Sequence, residues 1–242
     1  MIDRYRAYLF DLDGVLTPTV ELHRRAWQET FDEVFARAGL PPYREEEYFA
    51  SLDGRPRFDG VAGLLSARDV ELPWGEPGIP GDDGATDGWS DTVRGIGNHK
   101  NRAFAEVLVR EGIAAYPGSL KLLDHLARQG HPLAVVSSSR NAEEVLRAAG
   151  LRDRFAAVVD GTVADREGLP GKPAPDTFVR AADLLGVRPA EAVVFEDAGS
   201  GVAAGRAGGF GLVVGVDRGA GPESLLAAGA DVVVHDLEEL LP

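Results

Sequence analysis

Tyr8-Leu-Phe-Asp-Leu-Asp-Gly-Val-Leu-Thr-Pro-Thr19 decides the reading of this chain, because a short apolar run, Ala7–Phe10, ends abruptly in two acids and a glycine. The run reads as a buried strand, and the C-terminal ends of strands in open parallel sheets are where ligands bind. Asp11 and Asp13 alternate with Leu12, so both carboxylates can leave the strand end on one side while Leu12 packs behind them. Two like charges this close need a counterion. A solvated strand end, or an Asx turn at Asp13-Gly14, is the simpler reading; the buried strand before the acids makes it the weaker one.

Working outward, similar β-rich runs recur at Leu133–Val136, Ala156–Val159, Ala192–Phe195, Gly211–Val214 and Asp231–Val234. From Leu133 onward, amphipathic helical patterns separate most of them, as at Ala142–Ala149 and Asp176–Leu185, and another, Ser119–Gln129, leads into Leu133. Repeated βα units predict an α/β fold with a parallel sheet. The interval after Asp13 differs: to about Pro117 it is mostly helical in pattern, including Glu21–Ala38 and Lys100–Glu111, without a convincing strand. The expected organisation is an α/β core of residues 1–17 and 116–242 with a helical domain, residues 18–115, inserted after the first strand. Within the insert Val70–Asp91 is rich in Gly, Pro, Asp and Trp. It reads as a long loop, either functional or simply an acidic solvated surface. No fixed-period repeat is present, and the Ala-Ala-Gly segments ending at Gly150 and Gly229 read as helix stops.

Composition narrows the function classes. A chain of 242 residues accommodates one α/β domain with a smaller accessory domain. Lys and Arg total 25 against 39 Asp and Glu, a net charge of -14 that disfavours a sequence-independent grip on nucleic acid or an anionic membrane. Any anionic substrate must therefore meet local cations or a metal. With no cysteine, disulfides, thiolate chemistry and Cys-based zinc sites are excluded. Met1–Tyr8 lacks a signal-peptide apolar run, and no uncharged stretch approaches the roughly 20 residues that span a bilayer, so a cytoplasmic protein is expected.

A second acidic pair ends another apolar run, Val193-Val-Phe-Glu-Asp197. Four acids at one sheet edge form an oxygen-only donor set suited to Mg²⁺, which binds through carboxylates and keeps several waters. Asp197 could equally cap the following helix, a role compatible with metal binding. After Val136 comes Ser137-Ser-Ser-Arg-Asn141, a hydroxyl-rich turn whose N–H groups can hold an anion as a helix opens. Lys172 lies in Gly171-Lys-Pro-Ala-Pro175, where prolines fix the backbone and aim one cation. Alone, the Ser turn means little and the Lys reads as surface decoration. Four such elements, each at or just beyond a strand end, do not.

In this order the elements resemble the haloacid dehalogenase superfamily: Asp11-Leu-Asp13, Ser137, Lys172 and Glu196-Asp197 match its four motifs. The insert position is similar to the branch with a helical cap and a Rossmann-like core. The resemblance implies that Asp11 is the nucleophile that becomes an aspartyl phosphate and that Asp13 is the general acid and base. It implies a phosphoryl group held by Ser137, Ser138 and Lys172, and Mg²⁺ held at Asp11, Asp13, Glu196 and Asp197, with the backbone carbonyl of Asp13 among the ligands.

Three further segments are similar to the β-phosphoglucomutase family: Thr19 followed by Val-Glu-Leu-His23, then Leu52-Asp-Gly54-Arg-Pro-Arg57, then Gly97-Asn-His-Lys100-Asn101. The resemblance implies that His23 and Lys100 link the cap to Asp13. It further implies that Arg57, Ser139, Arg140 and Asn141 grip the second phosphate of a sugar bisphosphate, the substrate being a small phosphorylated sugar and the protein a monomer. The simpler readings are a surface or hinge His23, a solvated Arg57, and a Lys100 that favours its helix start. Pro18, Asp53 and the long loop depart from the family pattern, which leaves a sugar-phosphate phosphatase as the alternative. A dehalogenase would need neither the Mg²⁺ ligands nor the second grip. Gly199-Ser-Gly-Val-Ala-Ala-Gly205 has one residue too many for a dinucleotide fingerprint, and Pro173 after Lys172 excludes a Walker loop. A non-catalytic binding protein would leave the four motifs unexplained. His99, His125, His131 and His235 have no ligand spacing.

Overall fold

A computed structural model of the protein describes residues 2–79, 82 and 90–242. All six apolar runs form strands: β1 (Ala7–Phe10), β2 (Leu133–Val136), β3 (Ala157–Val159), β4 (Ala192–Glu196), β5 (Leu212–Val216) and β6 (Val232–Val234). They pair in parallel in the order β3-β2-β1-β4-β5-β6, a Rossmann-like sheet. The helices along the chain are α1 (Thr19–Arg37), α2 (Arg57–Ala67), α3 (Val93–Glu111), α4 (Pro117–Arg128), α5 (Ala142–Ala148), α6 (Gly161–Glu167), α7 (Asp176–Leu184), α8 (Gly199–Ala207) and α9 (Pro222–Ala228).

Two compact units result, Met1–Thr19 with Ile113–Pro242 and Val20–Gly112. Contacts thus divide the chain at 19/20 and 112/113, a few residues from the boundaries read in the sequence. In the first unit the strand period of two sorts the core. Ala7 and Leu9 of β1 and Ala192 and Val194 of β4 join one buried cluster with Phe178 and Val202. Their alternates face the other way, where Phe10 stacks on Phe195 with centroids 4.5 Å apart. Continuous apolar runs are required because both sheet faces are covered.

The second unit holds its own core of Trp27, Phe31, Phe35, Phe58, Val61, Leu64 and Ile96. Here α3 begins at Val93, well before Lys100, with Thr92 capping it by accepting the Gly95 N–H at 2.9 Å. Gly95 and Gly97 weaken the helical pattern in sequence. Gly97 is needed for packing, since a Cβ there would lie 2.9 Å from the Phe58 ring. Residues 80, 81 and 83–89 of the expected 70–91 loop lie outside the described residues. The described remainder contains no helix or strand, and Pro73 and Trp74 carbonyls accept the Val93 and Arg94 N–H groups at 3.0 Å each.

Candidate active site

The central strands β2, β1 and β4 are neighbours, so their C-terminal ends bring residues distant in sequence together. Asp11 is the first residue past β1, with its N–H donating to the Phe195 carbonyl at 2.9 Å. Ser137 follows β2 in the same way, donating its N–H to the Val159 carbonyl at 3.0 Å. Glu196 closes β4. Lys172 enters from the loop before α7 and donates from Nζ to Asp11 Oδ1 at 2.5 Å, Glu196 Oε1 at 2.5 Å and the Val136 carbonyl at 3.0 Å. All four side chains are buried, with Glu196 only 1% exposed and Lys172 3%.

Burial pushes the Asp11 carboxyl well above its ordinary range; Lys172 opposes this, while the Glu196 and Asp13 charges add to it. Burial acts to lower the Lys172 ammonium, but Asp11 and Glu196 outweigh it and hold the group above its ordinary value. Lys172 therefore stays charged, shared between two carboxylates. Glu196 gains a further partner in the Ala198 N–H, which donates to Oε2 at 3.1 Å. Its carboxylate lies against the first turn of α8, where exposed N–H groups favour negative charge. Gly201 makes this approach possible: a Cβ there would fall 1.8 Å from Glu196 Oε1.

Asp11, Glu196 and Asp197 each present an oxygen within 4.8 Å of the others. Three carboxylates together, two of them paired with one lysine and all offering oxygen donors, fit a hard divalent cation such as Mg²⁺. The Asp13 carboxylate is not in this group and instead accepts from the Thr19 hydroxyl. Asp197 is not the helix cap: Ala198 occupies that position, without a side-chain capping bond.

The turn after β2 is organised by its own hydroxyls. Ser137 Oγ accepts the Ser139 N–H and Ser139 Oγ accepts the Asn141 N–H, both at 3.1 Å. The Ser139 carbonyl accepts the Gly161 N–H at 3.0 Å, and Arg140 pairs with Asp165. Ser138 lies half-buried in the same turn.

Within the helical unit, Arg57 opens α2 and donates through Nη1 to Asn98 Oδ1 at 2.9 Å and through Nη2 to Asn101 Oδ1 at 2.6 Å. Gly54, in the turn before α2, has φ of 64°. His23 on α1 meets Lys100 on α3, with Nδ1 and Nζ 2.5 Å apart. The imidazole stacks on Phe104 at 4.1 Å between centroids, and Nζ lies 4.8 Å from the Trp27 ring centre. Sequence reasoning missed the bracing asparagines and Gly201. Asn98 and Asn101 stand in a segment already singled out, whereas Gly201 stands in the glycine pattern set aside as a dinucleotide motif.

Fold and site together define a phosphoryl-transfer enzyme of the α/β type. Residues 5–209 match the family of haloacid dehalogenase-like hydrolases, and the chain belongs to that family. It is 47% identical to a β-phosphoglucomutase of Mycobacterium bovis over 99% of this chain and 92% of the relative. It is 30% identical to hexitol phosphatase A of Escherichia coli, covering 98% and 94%. Among solved structures, a mutant CbbY of Rhodobacter sphaeroides in complex with xylulose-(1,5)bisphosphate superposes with a TM-score of 0.75 at 28% identity, over 98% of this chain and 96% of that one. The protein is thus an enzyme acting as a phosphotransferase or phosphatase.

Proposed function

We infer that the protein is a β-phosphoglucomutase, converting β-glucose 1-phosphate to glucose 6-phosphate through a hexose 1,6-bisphosphate. In this reading an Asp11 carboxylate oxygen attacks phosphorus, the bond from phosphorus to the sugar oxygen breaks, and Asp13 gives its proton to that leaving oxygen. In the return step Asp13 takes the proton of a sugar hydroxyl, which attacks the aspartyl phosphate and releases Asp11. Lys172 and Ser137 offset charge on the phosphoryl group, with Ser138 in the same turn. Asp11, Glu196 and Asp197, with the Asp13 backbone, would hold Mg²⁺, whose chemistry is to neutralise charge between carboxylate and phosphate.

The observation that carries the mutase reading is Arg57, braced by Asn98 and Asn101 in a chain 47% identical to a β-phosphoglucomutase. A bisphosphate that must present either end to Asp11 needs a second anion grip, and a guanidinium fixed by two acceptors is preorganised for one. Ser139, Arg140 and Asn141 would contribute from the turn after β2, and Thr19, His23, Gly54 and Lys100 would serve substrate recognition. The alternative, a sugar-phosphate phosphatase, is favoured by the likeness to hexitol phosphatase A. Incubation with Mg²⁺, β-glucose 1-phosphate and a trace of glucose 1,6-bisphosphate separates the two. Accumulating glucose 6-phosphate with little free phosphate is expected; stoichiometric phosphate release would overturn the mutase reading.

A further inference from the structure

We propose that Arg218, which the reaction described above does not use, is a positioning residue for the Asp13 carboxyl group, acting through the backbone of the loop that carries it. Three consecutive carbonyls of that loop are held by residues far away in sequence. Gly14 O accepts from Arg218 Nε at 2.8 Å, Val15 O from Ser119 Oγ at 2.6 Å and Leu16 O from the Tyr116 N–H at 3.0 Å. The loop also closes on itself. Gly14 N–H donates to the Thr17 carbonyl at 2.8 Å, while Leu16 and Thr17 N–H groups donate to the Leu12 carbonyl at 2.9 and 3.1 Å. Asp13 bridges to Thr17 within this frame, and the Thr19 hydroxyl fixes one of its carboxylate oxygens. Gly14, the residue next to Asp13, is therefore tied through both its N–H and its carbonyl, and Arg218 supplies the tie to the carbonyl.

Arg218 is itself well fixed. It follows β5, beside Asp217, whose carboxylate accepts the Gly219 and Gly221 N–H groups at 2.9 and 3.1 Å. Its guanidinium lies 3.9 Å from the centre of the Tyr116 ring, and Nη1 donates to the His235 carbonyl at 2.9 Å. A cation held by a ring, a carbonyl and the active-site loop is a brace with little freedom of its own. Ser119 is buried in α4, so altering it disturbs packing. Arg218 is the tie that can be changed with the core intact.

This rests on Asp13 being the general acid and base, and the test separates the two. Arg218→Met keeps the stem over Tyr116 and removes the donors; Arg218→Lys restores one donor. Each is compared with the parent and with Asp13→Asn for kcat and KM on β-glucose 1-phosphate primed with bisphosphate, and on acetyl phosphate, whose leaving group needs little protonation. Loss of one positioning hydrogen bond should lower Arg218→Met kcat on the sugar phosphate about tenfold at a KM within about twofold, with acetyl phosphate turnover within about twofold. Arg218→Lys should recover roughly a third of the parent rate. Equal losses on both substrates, or a loss confined to KM, would overturn the proposal. Should Arg218→Met prove insoluble, Arg218→Lys reads the same ratio, with about threefold selective loss expected and parallel loss refuting it. If Asp13→Asn itself affects both substrates alike, the acid–base assignment has failed and the premise of the proposal with it.

Discussion

Replacing Gly201 by Ala sets two effects of known size against one another. In a helix interior Ala is favoured over Gly by about 1 kcal/mol on propensity alone, an upper bound for Gly201 in the first turn of α8. Against that, the new Cβ would lie 1.8 Å from Glu196 Oε1 and 2.0 Å from its Cδ, so the carboxylate must leave. Leaving breaks the charge-assisted bond to Lys172, worth about 2 kcal/mol, and the bond from the Ala198 N–H, worth about 1 kcal/mol. A flexible glutamate on the surface would move at little cost, but this one is buried and has no other described partner at hand. The net expectation is a destabilisation of about 2 kcal/mol, or roughly 4–8 °C in Tm for a chain of this size. With Glu196 displaced from its place beside Asp11 and Asp197, the Mg²⁺ concentration for half-maximal activity should rise roughly tenfold or more. Thermal unfolding in chelator and a Mg²⁺ activation curve measure the two effects. Gly199→Ala is the control, because its Cβ would meet nothing closer than the Ala228 Cβ at 3.8 Å. A Gly201→Ala protein that melts at or above the parent, with an unchanged Mg²⁺ requirement, would refute the placement of Glu196 against α8.

Asp11→Asn should fold and have no measurable turnover, because an amide cannot form the acyl phosphate; activity within about tenfold of the parent would remove Asp11 as nucleophile. Arg57→Ala should lose about 2 kcal/mol, roughly thirtyfold, in bisphosphate turnover while transfer from acetyl phosphate barely changes. A ratio of the two activities within about twofold of the parent's would favour the phosphatase. Glu47→Gln should destabilise the helical unit by about 2 kcal/mol at neutral pH by weakening a two-pronged contact with Arg68, whose Nη2 donates to Glu47 Oε2 at 2.8 Å. Hydrogen bonding from Arg68 holds the Glu47 carboxyl below its ordinary 4.5, so this stabilisation is full above that pH and fades as pH falls through the depressed value. Parent and variant unfolding curves should accordingly converge in acid and stay apart at neutral pH; a gap independent of pH would contradict the ion pair.

Much of this site was legible in sequence because its parts are local and abrupt. A run of apolar residues ending in acid, as at Phe10-Asp11 and Phe195-Glu196, carries both the strand and its chemistry in a few letters, and parallel pairing does the rest. The start of α3 was not legible, since Gly95 and Gly97 lower helical propensity where Thr92 capping and contact with Phe58 restore the helix. Nor was Arg218, whose partners Gly14, Tyr116 and His235 are reached only once β5 has been placed two strands from β1. Long-range ties of a side chain to backbone carbonyls leave no periodicity and no motif. The same holds for Gly201, whose reason for being glycine is a carboxylate from another element, so that local spacing offered only a dinucleotide-like pattern that it did not fit.

Charge balance explains why the proposed chemistry needs cations from more than one source. At the sheet edge Asp11, Asp13, Glu196 and Asp197 stand with the buried ammonium of Lys172, and burial already drives Asp11 toward its neutral form. A phosphate monoester adds nearly two more negative charges. At an effective dielectric of about 20, each uncompensated pair of unit charges about 4 Å apart costs about 4 kcal/mol, so the several pairs made by these carboxylates and a phosphate together cost more than Lys172 alone can offset. A divalent cation held at Asp11, Glu196 and Asp197 would reduce that repulsion where phosphorus must meet the nucleophile. It would do nothing for the second phosphate of the proposed hexose bisphosphate, which requires its own counter-charge. In a chain of net charge -14 such a charge cannot come from the general field of the protein. It has to be a particular cation, and a guanidinium aimed by fixed acceptors is preorganised for that role. Asn98 and Asn101 aim Arg57 through amide oxygens, contacts that fix its direction, which is the physical ground for the proposal that Arg57 takes the second phosphate.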